Sequence, residues 1–266
     1  MGWPADVAAS AHVFVEPADP AVGLPDRIEV GGEDGHHLAR VLRLRPGETV
    51  TVADGSGGWR AYVVGEIGTP AGSGAGRGAV VRLDATAGPD REPALEPRLA
   101  VAFALTKGEK PELVVQKLTE LGVDRIVPVL AERSVARPDA AKARVAVERW
   151  RRIAREAAGQ CRRATLPVVE ELCPLPELAR HPGLVVAERG GVAAGALGVP
   201  PGGDMVVVVG PEGGLADAEV EALEPWARLD LGPHVLRAET AAIVAAALLA
   251  GRRRSRSGEP RAENPP

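Results

Sequence analysis

Lysine, aromatic residues and cysteine are all scarce in this chain. Only four of its 32 basic residues are lysine, aromatic residues make up 3%, and there are two cysteines. The low aromatic content argues against base stacking as the main means of nucleic-acid recognition. Cys161 and Cys173 stand twelve residues apart and match no metal-ligand spacing, alone or with the five histidines. We therefore expect no metal site.

Long apolar runs are also missing. The longest, over 241–251, falls well short of the roughly 18 residues that a membrane span requires. The first fifteen residues contain Asp6 but no lysine or arginine, unlike the charged start of a signal peptide. We expect a cytoplasmic protein without membrane contact. The net charge of −4 excludes a chain that is basic throughout, but leaves a local basic patch open.

The pattern of short strands in the first third predicts a small β domain over residues 1–90. Strands are expected over 13–16, 27–30, 49–53, 60–64 and 79–84. One helix is expected over 33–44, with Leu38, Val41, Leu42 and Leu44 on one side. Many short strands with a single helix favour a barrel. The glycine-rich residues 70–78 predict a flexible loop, and the proline-containing residues 87–98 a linker.

Strands and helices alternate over 91–251. Strands are expected over 99–105, 125–130, 167–172, 184–187, 205–209 and 229–231, and helices over 111–121, 140–160, 217–223 and 239–249. Strands this apolar are covered on both faces, which predicts a parallel α/β sheet. The arginine-rich tail, 252–266, is expected to be disordered.

Two glycine-containing segments follow predicted strands. The first reads Gly-Pro-Glu-Gly-Gly over 210–214, and the second reads Leu-Gly-Pro-His-Val-Leu-Arg-Ala-Glu-Thr-Ala over 231–241. Glycines at the carboxyl ends of such strands let backbone approach a ligand closely, although an ordinary strand-to-helix turn explains them as well. Neither segment has a dinucleotide or Walker A pattern, so an uncharged ring system such as a nucleoside fits better than a phosphate.

Polar residues at the start of the last helix have two interpretations. Glu239 and Thr240 either cap the helix or contact a ligand. Arg237, just before them, is either a solvent-exposed arginine or a side chain that faces a substrate.

The two segments together resemble the cofactor loops of the SPOUT methyltransferases, specifically the RsmE-type 16S ribosomal RNA uridine-N3 methyltransferases. Further motifs extend the resemblance over about residues 13–250. These are His36-His37-Leu38-x-Arg40-Val41-Leu42-Arg43, Lys107-Gly108, Gln116-Lys117-x-x-Glu120-Leu121-Gly122 and Glu132-Arg133-Ser134. One stretch departs from the family, because Gly-Gln-Cys-Arg-Arg stands over 159–163 where the family has Glu-Gln-Ser-Gly-Arg.

This resemblance implies a fold and a reaction. The fold is α/β, with an N-terminal PUA-like β-barrel followed by a SPOUT-type parallel α/β domain that ends in a trefoil knot. The cofactor is S-adenosylmethionine, and the reaction methylates N3 of a uridine in the decoding region of 16S rRNA in the small ribosomal subunit. A SPOUT enzyme that modifies another position, such as a ribose 2′-oxygen, and a non-catalytic ribosome-assembly factor are the alternatives.

The resemblance also implies roles for individual residues. Arg237 would stabilise the imide anion, and Glu212 or Glu239 would accept the proton. Cofactor contacts are implied for Gly210, Pro211, Glu212, Gly213, Gly214, Leu231, Gly232, Leu236, Arg237, Glu239, Thr240 and Ala241. RNA contacts are implied for Arg40, Arg43, Lys107, Arg133 and Arg163.

A homodimer is the expected assembly. Proteins with this knot place the cofactor pocket beside a subunit interface, and the alanine-rich helix over 241–249 offers a face for close packing. Burial of that face within one subunit is the alternative.

Overall fold

The computed structural model describes residues 2–17, 23–68, 79–200 and 202–255. The chain divides into two compact units: Met1–Pro93 together with Ala158–Leu166, and Ala94–Ala157 together with Pro167–Pro266. The loop predicted over 70–78 lies outside the described residues.

A mixed sheet forms the first unit. Its strands are β1 (Ala11–Phe14), β2 (Arg27–Val30), β3 (Thr49–Ala53), β4 (Gly58–Gly68), β5 (Val80–Ala85) and β6 (Asp90–Arg91). The order is β1-β3-β4-β5-β2 with β6 beside β4, and only the β1–β3 pairing is parallel. The described pairings form an open path, so closure into a barrel stays a prediction. The fully buried side chains of Val50, Val52 and Tyr62 lie in the core of this unit.

The predicted helix over 33–44 is only partly correct. A short α-helix, α1 (Gly32–His36), passes into a π-helix over His37–Val41. Leu38 is buried, whereas Val41 and Leu42 are 59% and 43% exposed, so the expected apolar side is wrong for these two. Arg43 lies beyond the π-helix in the left-handed region with φ 55°. Arg40 and Arg43 therefore do not share one helix face, as a continuous helix would require.

The segment Ala158–Leu166 joins the first unit through polar contacts. The Arg162 guanidinium donates to the carbonyl oxygens of Val7 and Ala9, at 3.1 and 2.6 Å. The Glu92 carboxylate accepts hydrogen bonds from the Ala164 N–H and the Thr165 hydroxyl, both at 2.8 Å. Burial raises the pKa of Glu92. Nothing in the sequence pattern indicated that a stretch 65 or more residues downstream completes this unit.

His12 fixes the same segment from β1. Its Nε2–H donates to the Arg163 carbonyl at 2.9 Å, and its Nδ1 accepts from the Thr51 hydroxyl at 2.8 Å. Burial, with a smaller contribution from the nearby Arg162, lowers the pKa of His12 from 6.5 to about 4. The ring is therefore neutral at pH 7.

The second unit contains the strands and helices that follow. Its strands are β7 (Leu95–Glu96), β8 (Arg98–Ala104), β9 (Arg125–Leu130), β10 (Val168–Val169), β11 (Cys173–Pro174), β12 (Leu184–Ala193), β13 (Asp204–Val209), β14 (Ala227–Asp230) and β15 (Arg254–Ser255). Its helices are α2 (Lys110–Glu120), α3 (Ala140–Cys161, whose last residues belong to the first unit), α4 (Asp217–Leu223) and α5 (Ala238–Ala250). The main sheet has the order β10-β9-β8-β13-β12-β14, with β11 beside β9, and all its pairings are parallel. The predicted parallel α/β fold is confirmed.

Both faces of this sheet are covered, as the strand β8 shows. Leu99, Val101 and Phe103 enter a core with apolar side chains of α2, α3 and α5. The alternating Ala100, Ala102 and Ala104 enter a second core with Val220 and Leu223 of α4. A strand buried on both sides has no polar face, which explains the continuous apolar run in the sequence.

The border between the two units falls at Pro93–Ala94, inside the linker predicted over 87–98, and this linker also contains β6, β7 and the start of β8. The tail expected to be disordered is partly ordered: a turn at Gly251 and Arg252 leads through Arg253 into β15, which pairs with β7. Arg253 is buried and pairs with Asp124 at 2.5 Å. Residues 256–266 lie outside the described residues.

The alanine-rich face of α5 is used inside the second unit. Ala242, Ala245 and Ala246 are fully buried against the core shared with α2 and β8. That face is therefore not the one available to a second subunit, and the homodimer stays a prediction. Within the described residues, no helix is both long and apolar enough to cross a membrane.

We expect His12 to make the first unit sensitive to mild acid. An unfolded histidine binds a proton below about pH 6.5, whereas the folded one does so only near pH 4, so the unfolded state gains protons in between. The free energy of unfolding should fall by about 2 kcal/mol from pH 7.5 to pH 5 through this residue alone. Urea unfolding of the wild type and of His12→Asn at both pH values measures this contribution. An equal loss in the two proteins would contradict it.

Candidate functional site

The functional loops gather at one edge of the second unit's sheet. Because all the pairings are parallel, the carboxyl ends of β8, β9, β12, β13 and β14 point to the same edge, where ligands bind in open α/β sheets. The Gly-Pro-Glu-Gly-Gly loop follows β13, and the segment 231–237 follows β14. The two segments singled out in the sequence therefore meet at this edge.

The first loop is a tight turn that depends on its glycines. A Cβ on Gly210 would lie 3.0 Å from the Leu215 backbone nitrogen, so a side chain there displaces backbone. Gly214 has φ +70°, and its N–H donates to the Pro211 carbonyl at 2.8 Å. The turn thus leaves the backbone at Gly210 uncovered by any side chain of its own.

Arg133, on the loop after β9, holds this turn. Its guanidinium donates to the Gly213 carbonyl at 2.9 Å and to the Leu215 carbonyl at 3.3 Å. Glu219 of α4 adds a second link, since its carboxylate accepts from the Glu132 N–H at 2.7 Å and the Ala216 N–H at 2.9 Å. Arg133 was predicted to contact RNA, but in the structure its guanidinium already bonds the backbone of this turn.

Lys110 connects the two carboxylates that were predicted as proton acceptors. Its Nζ lies 3.0 Å from Glu212 Oε1 and 3.4 Å from Glu239 Oε2. The hydrogen bond from its own backbone N–H, followed by the one from Lys110, lowers the pKa of Glu212. The Glu212 contact raises the pKa of Lys110. Sequence reasoning missed Lys110. It is the first residue of α2, and no motif in the sequence marks it as a site residue.

The second segment is held by Asp230, at the end of β14. Its carboxylate accepts from the Gly232 N–H at 2.7 Å and from the Gly190 N–H at 2.9 Å, and these bonds lower its pKa. Arg189 donates to the Pro233 carbonyl at 3.0 Å. Asp230 and Arg189 were also missed. The sequence signal that could have indicated them is the Gly190-Gly191 pair. In the structure, the β12–β14 pairing shifts register at this pair.

Arg237 is exposed at the start of α5. It occupies the N-cap position, and the structure shows no side-chain cap hydrogen bond there. Glu239 and Thr240 are the second and third residues of α5, so neither occupies the N-cap position. Across the described part of the chain, the Arg237 guanidinium has no hydrogen-bond or ion-pair partner, which leaves its charge available to a ligand.

A narrow gap that has no room for a water molecule lies between the two segments. It is lined by Phe103, Ala104, Thr106, Val114, Val209, Gly210, Ala238 and Glu239. The Glu239 side chain is 12% exposed, and its Oε2 is buried without a hydrogen-bond partner. Of the other predicted cofactor residues, Leu231, Leu236 and Ala241 are half-buried, while Gly232 and Thr240 are exposed.

The residues predicted to contact RNA differ in accessibility. Arg40, Arg43 and Lys107 are exposed, and none of the three pairs with a described acidic residue. Arg163 is only 8% exposed, which leaves little of it for RNA. Among the residues that the structure describes, no group of three or more metal-ligating side chains is present.

Comparison with known proteins defines the class. A family profile described as an RNA methyltransferase domain matches residues 94–250, and a profile described as an RNA methyltransferase PUA domain matches residues 30–70. The fold and the loops described above thus belong to an RNA methyltransferase with a PUA domain. Among curated proteins, the chain is 36% identical to the ribosomal RNA small subunit methyltransferase E of Mycobacterium tuberculosis, over 81% of this chain and 83% of the relative. It is 30% identical to that of Bacillus subtilis, over 87% and 93%. The chain belongs to the ribosomal RNA small subunit methyltransferase E family.

Solved structures agree with this assignment. A Legionella pneumophila protein determined with the bound cofactor SAM has a TM-score of 0.75 and 28% identity, over 92% of this chain and 98% of that one. A ribosomal RNA small subunit methyltransferase E from Neisseria gonorrhoeae, bound to S-adenosyl methionine, shares the fold with a TM-score of 0.72 and 24% identity, over 89% and 95%.

We expect Arg133→Met to loosen the loop over 210–215. The variant removes two charge-assisted hydrogen bonds from loop carbonyls, so amide hydrogen exchange in this loop should become about tenfold faster, or roughly 1.4 kcal/mol. Arg137→Met is the matched control, because Arg137 donates only to the carbonyls of Ala131 and Glu132. Equal exchange of 210–215 in the two variants would contradict the role of Arg133.

Proposed function

We propose that this chain is an S-adenosylmethionine-dependent methyltransferase that modifies N3 of a uridine in the decoding region of 16S rRNA. The observation that carries the proposal is that both family segments meet at the carboxyl edge of one parallel sheet, one after β13 and the other after β14. Family membership supports the reaction class, and the SAM-bound relatives support the cofactor. The nucleotide rests on the sequence resemblance.

The residues at this edge fit a nucleoside-containing cofactor. Gly214 and Gly232 leave open space where a side chain would stand, and Glu239 offers a buried oxygen that lacks a hydrogen-bond donor. A hydroxyl or amino group is the natural partner for such an oxygen, since a buried acceptor without a donor is costly. We assign Gly210, Pro211, Gly213, Gly214, Gly232 and Glu239 to the cofactor.

The chemistry requires a cation and a proton acceptor from the chain. S-adenosylmethionine supplies an electrophilic methyl group when bound. The uridine N3–H must lose its proton, and the unpaired Arg237 guanidinium stabilises the imide anion that results. Glu239 is the better proton acceptor of the two candidates, because Glu212 is 44% exposed, lies closer to the Lys110 cation (3.0 Å, against 3.4 Å for Glu239) and has a lowered pKa.

The knot, the closed barrel and the homodimer belong to the proposal as well. They follow from the resemblance to the family. We also place the protein in the cytoplasm, because its proposed ribosomal RNA substrate is located there.

Loss and rescue of one methyl group test the proposal. In a bacterial strain lacking its own enzyme of this family, the wild-type chain should restore a single 3-methyluridine in 16S rRNA, as read by mass spectrometry. Arg237→Ala should reduce the methylation rate by far more than tenfold, while its affinity for S-adenosylmethionine stays within about tenfold of the wild type, or roughly 1.4 kcal/mol.

The outcomes separate the alternatives. Restoration of a methyl group at another position would replace the uridine-N3 assignment, and binding of RNA without cofactor binding would favour an assembly factor. Cofactor binding lost in Arg237→Ala, with normal turnover at saturation, would assign Arg237 to the cofactor instead of the imide anion.

Arg40 and Arg43 are expected to bind RNA phosphates. Both are exposed and unpaired within the described residues, and the π-helix beside them is a feature frequent at functional sites. The double variant Arg40→Ala/Arg43→Ala should weaken RNA binding and lower the slope of log affinity against log salt by about 1.5, because about two fewer counterions are released. Affinity for S-adenosylmethionine should not change.

The matched control is Arg27→Ala/Arg82→Ala, which removes two exposed arginines of the same unit. These pair with acidic side chains, Arg27 with Asp84 and Arg82 with Glu29 and Glu66. The same loss of slope in the control would show that net charge, not this site, determines RNA binding.

A further inference from the structure

We propose that Lys110 is a positioning residue, which joins the loop over 210–214 to α5 and thereby aims the Glu239 carboxylate at the cofactor. The inference rests on the proposed function, because it assumes that S-adenosylmethionine binds at the carboxyl edge of the sheet, beside the loop over 210–214 and the start of α5. It adds a residue to which neither the sequence nor the family comparison assigned a role.

The geometry places one cation between two carboxylates from distant parts of the chain. Lys110 Nζ lies 3.0 Å from Glu212 Oε1 and 3.4 Å from Glu239 Oε2. Glu212 belongs to the turn after β13, and Glu239 is the second residue of α5. A single side chain therefore connects three elements at the carboxyl edge of the sheet.

The location of Lys110 on α2 is itself unusual. It is the first residue of this eleven-residue helix, where the macrodipole disfavours a cation. The preceding turn contains Gly108 with φ +74°, a conformation that glycine adopts without strain. A lysine in this position needs compensating negative charge, which the two glutamates supply.

Glu239 depends on this contact more than Glu212 does. The Glu212 side chain is 44% exposed and can be hydrated, whereas the Glu239 side chain is 12% exposed. Of the cations in the described parts of the chain, only Lys110 lies within 4.0 Å of the Glu239 carboxylate. Without it, a carboxylate buried to this degree loses its compensating charge and is expected to turn toward water.

The contact also leaves Glu239 able to bind. At 3.4 Å the pair is electrostatic, and Oε2 has no hydrogen-bond partner. A hydroxyl or amino group of the cofactor can therefore donate to this oxygen while Lys110 holds the carboxylate in place. S-adenosylhomocysteine carries the same hydroxyl and amino groups without the sulfonium charge, so it separates positioning from a simple charge effect.

Calorimetry without RNA tests the inference. In Lys110→Met, the dissociation constants of S-adenosylmethionine and S-adenosylhomocysteine should both rise about tenfold, or roughly 1.4 kcal/mol. Lys110→Arg should restore both to within about threefold of the wild type. Lys117→Met is the matched control on the same helix, because the acidic partner of Lys117 among the described residues is Glu120, one turn away. This variant should bind both compounds as the wild type does.

A double-mutant cycle identifies the residue through which Lys110 acts. If it acts through Glu239, the variant Lys110→Met/Glu239→Gln should bind no more weakly than Glu239→Gln alone. Lys110→Gln serves as a second neutral variant, and thermal unfolding of each variant shows that the fold is kept.

Three results would overturn the inference. The first is unchanged affinity in Lys110→Met, and the second is losses that add in the double mutant. The third is a change for S-adenosylmethionine alone, which would indicate a direct effect on the sulfonium charge. A wild type that binds neither compound would refute the proposed function together with this inference, whereas normal wild-type binding with any of the three results refutes the inference alone.

Discussion

Charged side chains that bond loop backbone groups hold the candidate site together. Arg133 binds the carbonyls of the turn after β13, and Asp230 binds the amides of the two loops that meet at β14. Glycine-rich turns have few side chains of their own to fix them, so their shape depends on such contacts from neighbouring elements. Lys110 extends the same arrangement to α5. Charge-assisted hydrogen bonds thus fix the conformation of the turns that form the site.

The parallel sheet explains why these contacts concentrate at one edge. Strand β8 sends alternate residues into two separate apolar cores, so neither of its faces can carry a polar group. Polar chemistry must then lie where the strands end. The carboxyl ends of parallel strands coincide, so loops distant in sequence meet there. Glu212 and Glu239 reach one lysine, although 102 and 129 residues separate them from it.

The strands and glycine turns were predictable from the sequence because they are local patterns. Continuous apolar runs predicted the buried strands, and Gly210 and Gly214 marked a turn that needs glycine. The contacts of Lys110, Asp230 and Arg253 were not predictable, since each joins residues far apart in the chain. Helical periodicity also failed at Val41 and Leu42, because a π-helix rotates side chains away from the positions that an α-helix gives them.

Because the chain has a net charge of −4, the number of its cations does not indicate where it could bind RNA. The useful distinction is between cations that form an ion pair with an acidic side chain and cations that do not. In the basic helix α3, Lys142, Arg149 and Arg151 each pair with an acidic side chain, whereas Arg144 and Arg152 are exposed without an acidic partner among the described residues. Such pairs contribute little field beyond a Debye length of about 8 Å at physiological salt. The exposed cations that lack an acidic partner within the described residues include Arg40, Arg43, Lys107 and Arg237. Arg40 and Arg43 belong to the PUA-containing unit, whereas Lys107 and Arg237 belong to the unit that carries the candidate cofactor site. Each unit therefore has exposed cations whose charge no acidic side chain of the described residues compensates, although the chain as a whole is acidic.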